Sequence, residues 1–283
     1  MDLSGRRKSS NVEDRRGNGG KIAVGGGIGG AIVIALIALL MGKDPSSALQ
    51  QLGSQQTETT EFVATEQEKE LEVFASQILA STEDVWKELF KKMGRTYEPP
   101  KLVLFKGSVQ SGCGGASASS GPFYCSADRS VYIDLDFFAD MKKTIGADGD
   151  FAYAYVIAHE VGHHVQNLLG DLGEAHRKMA SVSKEESNKI SVRLELQADF
   201  YAGVWAHHEN KMFGSLDDGD IDEAINAAGK IGDDYLQKKA RGYTTPETFN
   251  HGTSAQRSRW LKKGFTTGDI KAGDTFSPSY NSL

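Results

Sequence analysis

The sequence predicts an α+β fold: a mostly helical domain with a small β-sheet, preceded by one transmembrane helix. Three observations support this prediction. An uncharged apolar run lies near the start of the chain, later segments repeat apolar residues at helical spacing, and two short segments have the composition of strands. With 283 residues and 39% hydrophobic content, the chain is long enough to bury a core.

The start of the chain is basic and the rest is acidic. Residues 1–21 contain six basic and three acidic side chains, which gives a net charge of +3. The whole chain has a net charge of −6, so the remainder carries −9. An acidic body does not attract phosphate backbones, and we therefore expect no nucleic-acid partner.

The basic stretch leads into residues 22–41, IAVGGGIGGAIVIALIALLM, which carry no charge. A helix of that length spans roughly 30 Å, the thickness of a bilayer's hydrocarbon core. The apolar region of a cleaved signal peptide is shorter, roughly 7–15 residues. We therefore predict an uncleaved transmembrane helix over residues 22–42. Because basic residues lie mainly before it, residues 1–21 are expected to form a cytoplasmic tail, and the rest of the chain to lie outside the cytoplasm.

The predicted transmembrane helix is rich in glycine. Gly25 with Gly29, and Gly26 with Gly30, are spaced so that two such helices can approach closely, which favours a homodimer. Glycines that lipid simply tolerates would explain the pattern equally well. After the helix, residues 43–65 are polar and read as a linker, and residues 66–283 form the expected domain.

The chain has two cysteines, Cys113 and Cys125, which enclose eleven residues. Both lie on the expected outer side of the membrane, where an oxidising compartment favours a disulfide. A bridge across so short a loop stabilises the fold by roughly 2–3 kcal/mol in the chain-entropy model. The alternative is a pair of free buried thiols.

Periodicity within the domain predicts alternating helical and extended segments. A helix begins near residue 66, and a second is expected to restart at Ser81 with Asp84 in a capping box. The remaining predictions are a strand over 101–107, a half-buried strand over 130–138, where apolar and polar residues alternate, and helices over 150–170 and 190–208.

The helix over 150–170 contains the segment AHEVGHH. His159 and His163 are four residues apart and so share a face, where two imidazoles can bind one zinc ion. Glu160 can reach a water beside such a metal without being a ligand, which suits a general base. His164 could pair with Glu160 in another register, but that pair lacks a third partner, and we interpret His164 as structural.

A catalytic zinc site needs a third protein ligand. In the helix over 190–208, Glu195 and Asp199 share a face among apolar residues, and burying two carboxylates is costly unless positive charge meets them. We therefore expect Glu195 on the metal and Asp199 accepting an N–H from a ligand histidine. The alternative is a pair of solvated surface carboxylates. The other candidates for the third ligand are His176, Glu185, Glu186, His207, His208 and His251.

Two further segments are candidates for contact with a substrate. NHGTSAQRSRW, residues 250–260, offers His251 and Arg257 as donors to a developing oxyanion, or else only caps a helix. Gly115, Ala116 and Ser117 lie in a stretch of small side chains that leaves backbone groups open to pair with a peptide strand. A flexible loop held by the disulfide would have the same composition.

Together these segments resemble a known family. HEVGHH followed by ELQAD is similar to the gluzincin arrangement of His-Glu-x-x-His and a later Glu-x-x-x-Asp. More closely, the chain resembles the neutral zinc metallopeptidases of bacteria in its basic start and glycine-rich apolar run, and in CGGASASSGPFYC, VYIDLDFF, HEVGHHVQ, RLELQADFYAGVWA and HGTSAQRSRW.

The resemblance implies a zincin-like domain anchored by a single pass in the bacterial cytoplasmic membrane. It implies one Zn²⁺ per chain, held by His159, His163 and Glu195, with Glu160 as base and a protein or peptide as substrate. The alternative is a catalytically silent, membrane-tethered binding or scaffold protein that contains zinc. Structural zinc normally has four protein ligands, so three ligands beside a glutamate favour the enzyme.

Overall fold

The computed structural model describes residues 1–17 and 62–283. Within these residues, the strands are β1 (Val12–Asp14), β2 (Lys101–Phe105), β3 (Ser108–Ser111), β4 (Gly114–Ser117), β5 (Phe123–Cys125) and β6 (Ser130–Asp134). The α-helices are α1 (Glu66–Lys92), α2 (Asp136–Ile145), α3 (Asp150–Leu169), α4 (Asp171–Met179), α5 (Lys184–Phe213), α6 (Asp220–Lys230), α7 (Asp233–Arg241) and α8 (Ser254–Thr267). The predicted α+β class, mostly helical with a small sheet, is confirmed.

Helix α1 is one continuous helix, which corrects the expected restart at Ser81. Thr65 caps it instead, in a capping box with Glu68. Ser81 is buried, and its hydroxyl donates to the Glu209 carboxylate at 2.5 Å and accepts from the Trp205 indole at 2.8 Å. Because these partners lie on α5, sequence spacing within α1 gives no sign of them.

The main sheet has the strand order β1-β2-β6-β5, with β5 alone antiparallel to its neighbour. Strand β6 is buried along its whole length. Leu102, Leu104 and Val131 face the helical core, whereas Val103 and Tyr132 face a smaller cluster under the β3–β4 hairpin. The expected half-buried strand over 130–138 is therefore wrong in two respects: both faces are covered, and α2 begins at Asp136.

The predicted disulfide is confirmed. Cys113 lies in the turn between β3 and β4, Cys125 ends β5, and their Cα atoms are 5.8 Å apart. The bridge therefore ties the β3–β4 hairpin to the edge of the main sheet. Ala116 and its neighbours in the Gly-, Ala- and Ser-rich stretch form strand β4, which pairs antiparallel with β3.

The helices α3, α5 and α8 pack closely because glycines stand where they meet. A Cβ atom on Gly162 of α3 would lie 2.8 Å from the carbonyl oxygen of Ala198 on α5. A Cβ on Gly264 of α8 would overlap the carbonyl oxygen of Phe200. These approaches bring the His-Glu-x-x-His helix and α8 against the same helix, α5.

Residues 1–17, which we call the amino-terminal strap, pack on the domain. β1 extends the sheet in parallel with β2, with Val12 opposite Leu102. Arginines of the strap pair with carboxylates of the domain: Arg6 with Glu209 at 3.3 Å, and Arg7 with Asp84 at 2.6 Å. Residues 1–17 thus dock on the domain, which a count of basic residues does not reveal, and the cytoplasmic location expected for residues 1–21 stays a prediction.

The predicted transmembrane helix, residues 22–42, lies outside the described residues, as does the linker up to residue 61. Among residues 1–17 and 62–283, no helix is both long enough and apolar enough to cross a membrane.

Candidate metal centre

The crossing of α3 and α5 brings together His159, His163 and Glu195. One ligand atom from each lies within 4.8 Å of the others. The Nε2 atom of His159 is 3.2 Å from Oε2 of Glu195, and Nε2 of His163 is 3.5 Å from Oε1 of the same carboxylate. The structure thus places the three residues that the sequence indicated around one point.

The orientation of His159 is set from behind by Asp199. Nδ1 of His159 lies 2.8 Å from Oδ1 of Asp199, which is fully buried. A carboxylate accepts a hydrogen bond here, so Nδ1 carries the proton and Nε2 keeps its lone pair towards Glu195. This is the arrangement expected from the sequence.

His163 is oriented by Gln166, which sequence reasoning missed. The amide nitrogen of Gln166 donates to the carbonyl oxygen of Leu194 at 2.7 Å and to the side chain of Gln197 at 2.9 Å. Its amide oxygen therefore accepts the Nδ1 proton of His163, at 2.8 Å. The spacing of three between His163 and Gln166 on one helix was the available signal.

Arg257 does not occupy the opposite wall as expected. It is 3% exposed, and its Nε and Nη2 atoms donate to the two oxygens of Asp199 at 2.8 and 3.0 Å. The hydroxyl of Tyr155 donates to the same carboxylate at 2.6 Å. Arg257 therefore lies behind His159, against the carboxylate that orients it.

The charge distribution of the centre favours a bound cation. Burial alone would lower the pKa of His159, but the carboxylates of Asp199 and Glu195 raise it to about 10. Burial would raise the pKa of Glu195, yet His163 and His159 hold it well below its usual value. A divalent metal ion satisfies the same negative charge without protonating the imidazoles. Two imidazoles and one carboxylate form a donor set that fits zinc.

Glu160 lies on α3 directly after His159, with 8% of its surface exposed. Neither a hydrogen bond nor an ion pair joins its carboxylate to any described residue, in contrast to Glu195 and Asp199. It is not in the group of converging ligand atoms. The side chain is thus free to accept a proton, as the sequence interpretation requires.

His251 lies in the loop before α8, and its side chain is 48% exposed. Nδ1 of His251 is 3.1 Å from Oδ1 of Asp233, whose other oxygen accepts the backbone N–H groups of Asn250, His251 and Gly252. Partial loss of water contact would lower the pKa of His251, but the bond to Asp233 and the charge of Glu195 raise it. Asp233 is eighteen residues away, and no pattern in the sequence connects the two.

The remaining candidates do not join the centre. His164 is fully buried, accepts from the Tyr124 hydroxyl at 2.9 Å and donates to the Glu98 carbonyl at 2.7 Å, which supports its structural interpretation. Five other candidates lie outside the converging group. His176 is on α4, and His207 and His208 bond to the backbone around α8. Glu185 and Glu186 pair with Lys189.

The crossing of a His-Glu-x-x-His helix and a Glu-x-x-x-Asp helix forms a candidate zinc centre of three ligand side chains. The family model described as "Putative neutral zinc metallopeptidase" matches residues 1–276. The chain belongs to this family.

Two curated relatives align with most of the chain. "Uncharacterized protein YpfJ" of Escherichia coli K12 is 47% identical over 288 aligned residues, which cover 99% of this chain and all of that protein. "Uncharacterized protein Rv2575" of Mycobacterium tuberculosis H37Rv is 44% identical over 207 residues, covering 70% of this chain and 68% of that protein. No solved structure matches the chain.

Proposed function

We propose that this protein is a zinc-dependent peptidase that cleaves peptide bonds in a protein or peptide substrate. The single observation that carries the proposal is the carboxylate of Glu160, which has no partner among the described residues, beside three converging ligand side chains. A structural zinc site is closed by four protein ligands, whereas this group of described residues supplies three. The proposal also agrees with the family to which the chain belongs.

His159, His163 and Glu195 would hold one zinc ion, which when bound polarises a substrate carbonyl and makes water more acidic. Glu160 would take the proton from the attacking water and pass it to the leaving nitrogen. Asp199 and Gln166 would keep the two imidazoles turned with Nε2 inward.

His251 is the candidate for stabilising the negative charge that develops on the carbonyl oxygen. Its Nδ1 is held by Asp233, so its Nε2 points away from that carboxylate, and the side chain is half exposed. A donor fixed in position before the reaction gives more stabilisation than a mobile one. The sequence suggested this role for both His251 and Arg257, and we propose it for His251 alone.

The substrate is proposed to pair with β4 through Gly115, Ala116 and Ser117. Among the described strands, β4 pairs with β3 alone, so its other edge has free backbone groups. A location outside the cytoplasm is proposed from the disulfide, which persists in oxidising compartments. We also propose attachment to the membrane through residues 22–42 and a homodimer formed through the glycines of that segment.

Replacing Glu160 with glutamine tests the proposed chemistry. Glu160→Gln should keep one zinc per chain, because the ligands are intact, and should lose chelator-sensitive hydrolysis of casein. Glu186→Gln, an exposed change on α5, is the matched control and should keep both properties. Unchanged hydrolysis in Glu160→Gln would exclude Glu160 as the base. A wild-type protein that binds zinc but cleaves nothing would favour the scaffold alternative.

A further inference from the structure

Arg257 makes a contact for which the proposed chemistry gives no reason. It approaches Asp199 side-on, with Nε 2.8 Å from Oδ2 and Nη2 3.0 Å from Oδ1. Both side chains are buried, at 3% and 0% exposure. Two parallel charge-assisted hydrogen bonds of this kind fix the plane of a carboxylate as well as its position.

Four hydrogen bonds reach the two oxygens of Asp199. Oδ1 accepts from the Tyr155 hydroxyl at 2.6 Å, from Nδ1 of His159 at 2.8 Å and from Nη2 of Arg257. Oδ2 accepts from Nε of Arg257. Without Arg257, Asp199 would lose the buried cation that balances its charge and the only donor to Oδ2 among the described residues.

The position of Arg257 is itself set by the fold. It lies near the start of α8, which Thr253 caps in a capping box with Gln256. Close packing of α8 on α5, at Gly264, brings the guanidinium to Asp199. Nη2 also lies 3.9 Å from Oε2 of Glu195, so one cation faces both carboxylates of the Glu-x-x-x-Asp segment.

We propose that Arg257 is a positioning residue that acts through Asp199: it holds the Asp199 carboxylate on His159, so that Nε2 of His159 stays directed at the metal. The inference rests on the proposed zinc site, since it concerns the orientation of one of its ligands. Its consequence is that metal affinity depends on a residue that does not contact the metal. An ion pair with a purely structural role would stabilise the fold and leave metal affinity unchanged.

A double-mutant cycle on zinc affinity tests this dependence. Arg257→Gln should weaken zinc binding about 10–100-fold, the usual effect of losing a partner that orients a ligand. Arg257→Lys should restore part of the affinity, because an ammonium keeps the charge but not the two-pronged contact. Arg259→Gln, an exposed change two residues along α8, is the matched control and should bind zinc as the parent does.

The decisive comparison is Arg257→Gln in an Asp199→Asn background, where it should change zinc affinity less than about threefold if the two residues act as one unit. The visible spectrum of Co²⁺ in place of zinc should shift in Arg257→Gln and not in Arg259→Gln. Circular dichroism of the metal-free proteins shows that each variant is folded.

The inference would be overturned if Arg257→Gln lowered zinc affinity equally in the parent and in the Asp199→Asn background. An unchanged zinc affinity in folded Arg257→Gln would overturn it as well. Casein hydrolysis, measured on the same samples, separates this inference from the proposed function. If the zinc affinities of the variants follow the expected double-mutant cycle but the parent does not hydrolyse casein, the peptidase proposal alone is contradicted. If the parent hydrolyses casein but the zinc affinities do not follow the cycle, the role of Arg257 alone is contradicted.

Discussion

The side-chain amide of Gln166 donates a 2.9 Å hydrogen bond to the amide oxygen of Gln197, which joins the helix of His163 to the helix of Glu195. Both glutamines are buried, at 0% and 4% exposure. Since Gln166 in turn accepts from His163, the bond fixes which end of its amide faces the imidazole. The metal centre is thus oriented from two sides, by Asp199 behind His159 and by Gln166 behind His163.

Replacing Gln166 with leucine should weaken zinc binding about 10–100-fold, because Nδ1 of His163 loses its acceptor. Zinc affinity measured by competition with a chelating dye checks this. The matched control is Asn167→Ala, next along the helix, which bonds to the Tyr124 hydroxyl instead and should leave zinc affinity unchanged. Parent-like affinity in a folded Gln166→Leu would show that His163 needs no such support.

Replacing Glu195 with alanine should remove zinc outright, because two imidazoles alone leave the ion short of a ligand. Glu186→Ala, on the exposed face of the same helix, should retain it. Metal content after dialysis against a weak chelator, with circular dichroism to show folding, distinguishes the two. Alanine at His176, His207, His208 or His251 should also leave the metal in place. Loss of zinc in one of these, with Glu195→Ala still loaded, would make the third ligand an imidazole.

Replacing His251 with alanine should lower kcat about 100-fold, the usual effect of losing one donor to an oxyanion, and leave zinc content unchanged. Asp233→Asn should give a smaller loss, since an amide oxygen can still accept from the loop backbone. His208→Ala, whose imidazole bonds to the Gly268 carbonyl, is the control for removing a histidine. If kcat is unaffected in His251→Ala, another group stabilises the oxyanion.

The candidate metal ligands could be found from sequence because their spacing is local. His159 and His163 are one helical turn apart, and Glu195 and Asp199 repeat the same interval, so each pair shares a face in any α-helix. Gln166 lies three residues after His163 on the same helix and could have been found in the same way. His251 and Asp233 meet through a loop and a helix start, and no periodicity encodes that distance.

The docking of the amino-terminal strap could not be predicted for a related reason. Its basic residues match a tail before a membrane span, but Arg7 pairs with Asp84 on α1 and Arg6 with Glu209 on α5, which are 77 and 203 residues away. Likewise, alternation over 130–138 could not show that β6 has neighbours on both sides and a cluster over each face. Contacts between distant segments decide these features.

Acid should loosen the strap through Glu13. Hydrogen bonds from Arg15 and Lys101 lower the pKa of Glu13 from 4.5 to about 2. A lowered pKa means that the stabilisation is complete above about pH 4.5 and is lost as the pH falls towards 2. Because Glu13 is 39% exposed, screening keeps the effect small.

Hydrogen exchange of the β1 amides, at pH values from 5 down to 2, measures this loosening. Wild type should lose protection relative to Glu13→Gln as the pH falls, until the two proteins match. Glu66→Gln, which removes an exposed pair with Lys69 at the start of α1, is the control and should follow wild type. A constant difference between wild type and Glu13→Gln at all pH values would contradict the assignment to Glu13.

The position of the strap predicts a membrane topology that differs from the one predicted by the distribution of basic residues. Val12 pairs with Leu102 in one sheet, and Gly17 lies beside Phe62, so residues 1–17 and the domain occupy one compartment in this arrangement. The location outside the cytoplasm that we propose from the disulfide would then apply to both segments. If the strap stays docked on β2 in the cell, a reporter active only outside the cytoplasm should be active both before Met1 and after Leu283. Activity after Leu283 alone would restore a single crossing by residues 22–42, and would require the strap to leave the sheet, since β1 cannot pair with β2 across a bilayer.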